Sequence, residues 1–191
     1  MSDNFFRQVR RALIPDSLWG RIRRGQRFEK VAGPLMYNQD GLACIHNADF
    51  MHEPRFAHAY ALGQATGSWG LSQVHWRAYV ACWAAERALQ FEGDFVECGV
   101  NRGGLARTII DFTGLDQTGR RFFLLDTFSG LVDTYISDEE RALGRRAGGY
   151  EECFDAVQKT FAPFRNVVLV RGAVPSTLAE VTAERIAFLS L

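Results

Sequence analysis

Residues 93–110, with the sequence GDFVECGVNRGGLARTII, contain the pattern that decides the fold. The apolar run at 94–98 predicts a buried β-strand that carries Glu97 near its end and breaks at Gly99. Apolar residues then return with helical spacing over 103–113, and Gly114 ends the predicted helix. A strand, a glycine-rich turn and a helix in this order are typical of α/β proteins that bind a small molecule at the turn.

The pattern continues to the end of the chain as further strands and helices. We predict strands at 121–125, 166–170 and 186–191, a helix at 151–162, and a short helix after the capping box at 137–140. Apolar strands alternating with helices predict an α/β fold with a doubly wound, mostly parallel, Rossmann-like sheet. Because the sequence stops inside the fourth predicted strand, we expect 93–191 to be the cofactor-binding half of a domain whose C-terminal half is absent.

The first 92 residues are predicted to form a helical extension. Helices are expected from Pro54 to residue 62 and over 73–91, the second capped by Ser72, whereas residues 25–52 are expected to be irregular. Such an extension would act as a lid over the cofactor or as a contact in a homo-oligomer, and the pattern does not decide between these roles.

Composition and charge limit the classes of partner. The chain has 191 residues, of which 47% are hydrophobic and 23% charged, as in ordinary globular proteins. The net charge of zero argues against general nucleic-acid binding. Residues 1–30 carry eight Arg or Lys against three Asp or Glu. We interpret this basic stretch as a solvated helical arm, with a membrane surface, a polyanion or a partner subunit as alternatives.

Cysteine spacing and hydropathy suggest the compartment. The four cysteines are scattered without a C-x-x-C pair, so neither a disulfide framework nor a zinc site is expected. No apolar run approaches the roughly 20 residues of a transmembrane helix. Arginines break the N-terminal apolar pattern at once, which excludes a signal-peptide core. We therefore expect a cytoplasmic protein.

The charge of the glycine turn restricts its ligand. A dinucleotide loop requires G-x-G-x-x-G, and these positions are Gly99, Asn101 and Gly104. The side chain of Asn101 hampers a close approach of pyrophosphate, and Glu97 adds a negative charge. No Lys-Ser/Thr follows the glycines, so a P-loop is excluded. An NAD-dependent oxidoreductase remains an alternative that these features disfavour.

S-adenosylmethionine fits the turn better, because it has no phosphate and carries a sulfonium and an ammonium group. Glu97 would favour these cations, and Gly99 and Gly103 would permit a close backbone approach. Asp126, at the end of the next strand, could accept hydrogen bonds from both ribose hydroxyls. The alternative is a purely structural turn in which Glu97 pairs with Arg102 or Arg107 and Asp126 caps the residues that follow it.

The stretch at 93–109 followed by RRFFLLDTFSGL at 120–131 resembles the macrocin O-methyltransferase (TylF/MycF) family of class I S-adenosylmethionine-dependent methyltransferases. The resemblance implies a seven-stranded sheet, of which four strands are present, and methyl transfer to a hydroxyl of a small metabolite such as a sugar or polyketide-like compound. It also implies a set of cofactor-binding residues: Glu97, Gly99, Asn101, Gly103 and Gly104 around the methionine part, Asp126, Thr127 and Phe128 at the ribose, and Gly172 and Ala173 at the adenine.

Two departures from the family pattern affect the predicted pocket. Asn101 stands where an aromatic residue is common, and Leu131-Val132 replaces the usual Leu-Pro. The resemblance further implies Mg²⁺ held by residues beyond Leu191, so no metal ligand is predicted within this chain.

No catalytic residue is predicted. His75 with Trp69 and Trp76 could form part of a lid, although packing is the more common role of such residues. Tyr135 and Asp133 could face the acceptor. A non-catalytic interaction module with the same fold is the remaining alternative.

Overall fold

The computed structural model describes residues 34–191. The chain forms two compact units, Met1–Asn47 and Ala48–Leu191. The basic stretch at 1–30 and the contacts expected of it lie outside the described residues. Within residues 34–191, no helix combines the length and the apolar character needed to cross a bilayer.

The described part of the first unit is a β-hairpin. Strand β1 (Tyr37–Gln39) pairs antiparallel with β2 (Leu42–Cys44), with Tyr37 opposite Cys44. The two residues between them, Asp40 and Gly41, have φ angles of 52° and 74°. Positive φ at both positions is the signature of a type I′ turn, for which Asp-Gly is a preferred pair. The prediction that residues 25–52 are irregular is therefore wrong here.

The second unit opens with two helices. Helix α1 (Pro54–Gln64) begins at Pro54 as predicted, and the Glu53 side chain accepts hydrogen bonds from the backbone of the first turn. Helix α2 spans His75–Ala88 and has no side-chain cap. The prediction that Ser72 caps it is wrong, because the helix begins at His75 and its N-cap residue is Val74. A 3₁₀ turn at Asp49–His52 precedes α1.

The remaining elements follow the predicted alternation. They are β3 (Asp94–Cys98), α3 (Gly104–Thr113), β4 (Phe122–Asp126), β5 (Gly130–Leu131), α4 (Asp138–Ala142), β6 (Gly148–Gly149), α5 (Phe154–Phe161), β7 (Val167–Arg171) and β8 (Ile186–Ser190), with 3₁₀ turns at Leu115–Gln117, Asp133–Tyr135 and Leu178–Glu180. The capping box before α4 is confirmed, with Ser137 and Glu140 bonded reciprocally. Strands β5 and β6 were not predicted.

The four long strands form one parallel sheet in the order β7-β4-β3-β8. From β3 the chain moves outward to β4 and then to β7, and it returns to place β8 on the other side of β3. This reversal of direction beside β3 is a topological switch point, where ligands of open α/β sheets bind. The predicted α/β, Rossmann-like fold class is confirmed for this part of the sheet.

The helices pack on one face of the sheet. Phe95, Phe122, Leu124 and Phe188 of the strands are buried among side chains of α1, α2, α3 and α5. Helices α1 and α2 are therefore part of the same core as the sheet, although they were expected in an extension over residues 1–92. On the opposite face, Val96, Phe123, Leu125 and Val170 pack against the connection between β7 and β8.

Candidate functional site

A cavity of about 390 Å³ lies beyond the carboxyl ends of β3, β4 and β7. Its volume falls within the range of about 300–1,000 Å³ that is usual for small-molecule sites. The wall consists of Gly99, Asn101, residues 125–132, Tyr135, Tyr150, Glu151, Cys153, Ala173 and Val174. The cavity therefore lies at the carboxyl edge of the parallel sheet, where open α/β sheets bind ligands.

Six of the predicted cofactor-binding residues line this cavity: Gly99, Asn101, Asp126, Thr127, Phe128 and Ala173. The other four do not line it: Glu97, Gly103, Gly104 and Gly172. A ligand in the cavity can contact the first six residues directly, whereas the other four affect the shape of the wall.

The carboxylate of Asp126 is held by two backbone N–H groups. Asn101 N donates to Oδ2 at 2.7 Å, and Phe128 N donates to Oδ1 at 2.8 Å. Both donors have left-handed backbone, with φ of 51° and 56°. That conformation costs a non-glycine residue about 1–2 kcal/mol, which charge-assisted hydrogen bonds of about 1.5–3 kcal/mol offset. A carboxylate offers about four acceptor positions, so about two remain for a ligand.

The Glu97 carboxyl group lies in the core with 2% of the residue exposed. Its Oε2 is buried and has no hydrogen-bond partner within the described part of the chain. Burial, with the Asp126 carboxylate as the second cause, raises the pKa of Glu97 to about 8. In the protein without a ligand, Glu97 is therefore protonated and neutral near neutral pH.

The structural alternative for Glu97 required an arginine partner, and the structure contradicts it. Arg102 pairs with Glu151 at 2.8 Å, and Arg107 pairs with Asp111 one helical turn away at 2.6 Å. Both arginines are thus committed to other carboxylates. The burial of Glu97 has no compensating cation among the residues of the structure.

The glycines of the turn serve different purposes. Gly99 has a φ of 90°, and a Cβ there would meet no atom within 4 Å, so its open side faces the cavity. Gly103 has a φ of 83°, and its Cβ would lie 2.4 Å from the Phe161 ring. A Cβ on Gly104 would lie 2.8 Å from Ser68. Gly103 and Gly104 therefore allow helix packing, whereas Gly99 leaves space for a ligand.

The loop between α1 and α2 supports the turn from behind. Ser68 Oγ accepts a hydrogen bond from Gly104 N at 2.8 Å, and Ser68 O accepts one from Asn101 Nδ2 at 3.3 Å. The first amide of α3 is thus satisfied by the protein. The sequence pattern contained no signal for Ser68, because 36 residues separate it from its partner in the chain.

The segment before α5 closes the far side of the cavity and was missed from the sequence. Gly130 and Gly149 pair across β5 and β6, and a Cβ on Gly130 would lie 2.2 Å from Gly148 O. This approach brings Tyr150, Glu151 and Cys153 into the wall. The glycines at 130, 148 and 149 were the available signal.

Polar contacts join the loops around the mouth. Tyr135 Oη and Ser176 Oγ are 2.6 Å apart and link the loop after β4 to the loop after β7. Glu152 pairs with Arg171 at 3.1 Å. Glu152 and Arg171 are exposed, so their ion pair contributes at most about 1 kcal/mol.

The third loop contributes Ala173 to the wall. Gly172 precedes it, and its N–H donates to Asp126 O at 2.9 Å. A Cβ on Gly172 would lie 2.5 Å from Thr177 Cγ2, so the close packing of the loop requires glycine.

The proposed lid residues have packing roles in the structure. Trp69 and His75 both stack on the ring of Tyr60, with centroid distances of 5.0 Å and 4.0 Å. Trp76 lies 4.4 Å from Phe50. None of the three lines the cavity. Across residues 34–191, no three His, Cys, Asp or Glu side chains gather as a metal site.

Comparisons with known proteins identify a family and several solved structures that are similar to this chain, among them an O-methyltransferase. The structure of the O-methyltransferase NovP is 23% identical, with a TM-score of 0.48, and the match covers 59% of this chain and 51% of NovP. The chain thus spans about half the length of that protein. No curated protein sequence matches significantly. The profile of the Macrocin-O-methyltransferase (TylF) family matches residues 53–191. The chain therefore belongs to the macrocin-O-methyltransferase (TylF) family, as the motifs at 93–109 and 120–131 predicted.

Proposed function

We propose that this chain provides the S-adenosylmethionine-binding half of an O-methyltransferase that acts on a hydroxyl group of a small metabolite. The observation that carries the proposal is the pair of acids at the cavity. Asp126 lies in its wall with free acceptor positions, and the buried Oε2 of Glu97, two residues before Gly99, has no hydrogen-bond partner among residues 34–191. A cationic adenosine derivative complements both groups.

The residues of the cavity fit this ligand. The cofactor, when bound, supplies an activated methyl group. Asp126 would accept hydrogen bonds from the ribose hydroxyls, and Gly99 would let the amino-acid part approach the backbone. Ala173 and Val174 would cover the base. We assign Thr127 and Phe128 to the support of Asp126, because Thr127 Oγ1 lies 3.3 Å from Asp126 Oδ1 and Phe128 N donates to the same oxygen.

The mouth of the cavity supports an acceptor with apolar or sugar-ring surface. Leu131, Val132, Tyr135, Tyr150 and Val174 are all exposed and all lie in the wall. Exposed aromatic and aliphatic groups beside a cavity are typical of ligand-binding surfaces. A sugar or polyketide-like natural product would use such a surface.

The location proposed for the protein is the reducing cytoplasm. All four cysteines are free thiols in the structure, which supports a reducing compartment. A homo-oligomer through the N-terminal segment remains part of the proposal.

Isothermal titration calorimetry with S-adenosylmethionine, S-adenosylhomocysteine and NAD⁺ tests the proposal. We expect saturable heat with the first two ligands and none with NAD⁺. Asp126→Ala should weaken binding, whereas Asp116→Ala, an exposed acid at the opposite end of the sheet, should not. Binding of NAD⁺ alone would support the oxidoreductase alternative and contradict the proposal.

A further inference from the structure

Glu97 is unusual because it is a buried acid near a cavity, and its Oε2 has no hydrogen-bond partner among the residues that the structure describes. Residue 97 pairs in register with Leu124 of β4 and Ser190 of β8, in the middle of the sheet. Side chains alternate along a strand, so Glu97, Gly99 and Asp126 belong to the same face. Gly99, which has no side chain, follows Glu97 by two residues and lines the cavity together with Asp126. A buried, unpaired carboxyl group in this place requires an explanation.

The ionisable groups around Glu97 leave it without a balancing charge. Asp126 on β4 adds a negative charge, and Cys98, the next residue on β3, has a pKa raised by burial and then by Glu97. On the helices of this face, Arg107 pairs with Asp111 and Arg55 pairs with Glu86. Cys82 is a buried thiol, and the pKa of His75 is lowered by burial and then by His52.

We propose that Glu97 loses its proton when a cationic ligand enters the cavity, so that cofactor binding is coupled to proton release. The proposal rests on the proposed function, because it takes the cation to be S-adenosylmethionine. The O–H bond of the carboxyl group breaks, the proton passes to solvent, and the carboxylate that remains is balanced by the positive charge of the ligand. Without the ligand, the proton returns to Glu97.

The coupling also makes the protein bind the methyl donor and the demethylated product with different affinities. The sulfonium of S-adenosylmethionine carries a positive charge that the thioether of S-adenosylhomocysteine lacks. A carboxylate at residue 97 therefore stabilises the donor complex more than the product complex. A protonated Glu97 discriminates less between them. The negative charge of Glu97 would thus favour replacement of bound S-adenosylhomocysteine by S-adenosylmethionine, and this preference would increase as pH rises.

Calorimetry in buffers of different ionisation enthalpy measures the protons released on binding. At neutral pH, the wild-type protein should release close to one proton from Glu97 per S-adenosylmethionine, and its affinity should rise by up to about tenfold per pH unit below the pKa of that residue. Glu97→Gln should lack this release. The difference between wild type and Glu97→Gln also removes the contribution of protons exchanged by the ligand's own amino group, which titrates near neutral pH. Cys98→Ser, which changes the neighbouring thiol on the other face, should release as many protons as wild type.

S-adenosylhomocysteine should release fewer protons than the donor, and its affinity should depend less on pH. Infrared difference spectroscopy gives a second readout that needs no variant, because the stretch of a protonated carboxyl group should disappear when S-adenosylmethionine binds. Binding with equal proton release by wild type and Glu97→Gln, or with the carboxyl band unchanged, would overturn the proposal and leave the proposed function intact. Absence of binding by wild type in every buffer would overturn both.

Discussion

The backbone N–H of Asn101 lies 2.7 Å from Oδ2 of Asp126 and joins the glycine-rich turn to the end of the next strand. A second amide, that of Phe128, fixes the other oxygen at 2.8 Å. The carboxylate is therefore oriented before any ligand arrives. A ligand that uses its remaining acceptor positions does not have to order this side chain, which favours affinity.

Replacement of Asp126 by Asn should weaken S-adenosylmethionine binding by about 10- to 150-fold. The amide offers fewer acceptor positions and no charge, and a hydrogen bond to a charged group contributes about 1.5–3 kcal/mol. Titration calorimetry measures the change, with thermal unfolding to confirm that the variant folds. The control is Asp116→Asn, at an exposed position on the other end of the sheet. Equal affinities for the two variants would rule out a ribose contact for Asp126.

Substitution of Gly103 by Ala should destabilise the protein, because the new Cβ would lie 2.4 Å from the buried ring of Phe161. Gly119→Ala is the matched control. Gly119 has a φ of 73°, close to the 83° of Gly103, but a Cβ on Gly119 would meet no atom within 4 Å. Overpacking of a core costs about 1–3 kcal/mol, so Gly103→Ala should lower the free energy of unfolding by that much more than Gly119→Ala. Urea denaturation of both variants checks the difference, and equal losses would show that strain of the backbone alone is responsible.

The stability of the ligand-free protein should fall as pH rises from about 4.5 to about 8 because of Glu97. The folded-state pKa of about 8 lies above the value of 4.5 for the unfolded chain. The native state therefore binds the additional proton in this window, and the stabilising effect is complete below it and lost above it. The slope from this group is at most about 1.4 kcal/mol per pH unit.

Denaturation of wild type and Glu97→Gln at several pH values isolates this contribution. The glutamine variant keeps a neutral side chain of similar size, so the difference in unfolding free energy between the two proteins should change across the window. A difference that stays constant with pH would mean that Glu97 does not titrate in the folded protein with a raised pKa.

Loss of the contact between Tyr135 and Ser176 should weaken ligand binding by about 2- to 10-fold, since one neutral hydrogen bond contributes about 0.5–1.5 kcal/mol. The contact joins two loops at the mouth of the cavity with a distance of 2.6 Å. Tyr135→Phe and Ser176→Ala should each have this effect, and the double variant should be no worse than either, because one bond is removed in all three. Additive losses in calorimetry would show that the two hydroxyls act separately.

The motifs of the turn and of the second strand allowed the ligand class and several wall residues to be predicted from the sequence. Asp126 and Gly99 could be placed because strand ends and glycine turns are local patterns. Ser68 and Cys153 could not, because each reaches the site through a contact between distant parts of the chain. The hairpin at 37–44 was missed although its Asp-Gly turn is a local signal.

The sequence by itself determined the parallel α/β order of strands and helices, the family, and the acids that end two strands, because these follow from periodicity and from residue type at fixed spacing. Only the tertiary structure decided what those residues do. Gly99 faces a cavity whereas Gly103 and Gly104 face packed side chains, and Asp126 lies in the wall whereas Glu97 is buried and does not line the cavity. The physical reason is that burial and pairing depend on which distant segments come together, and the charge state of a carboxyl group depends on both.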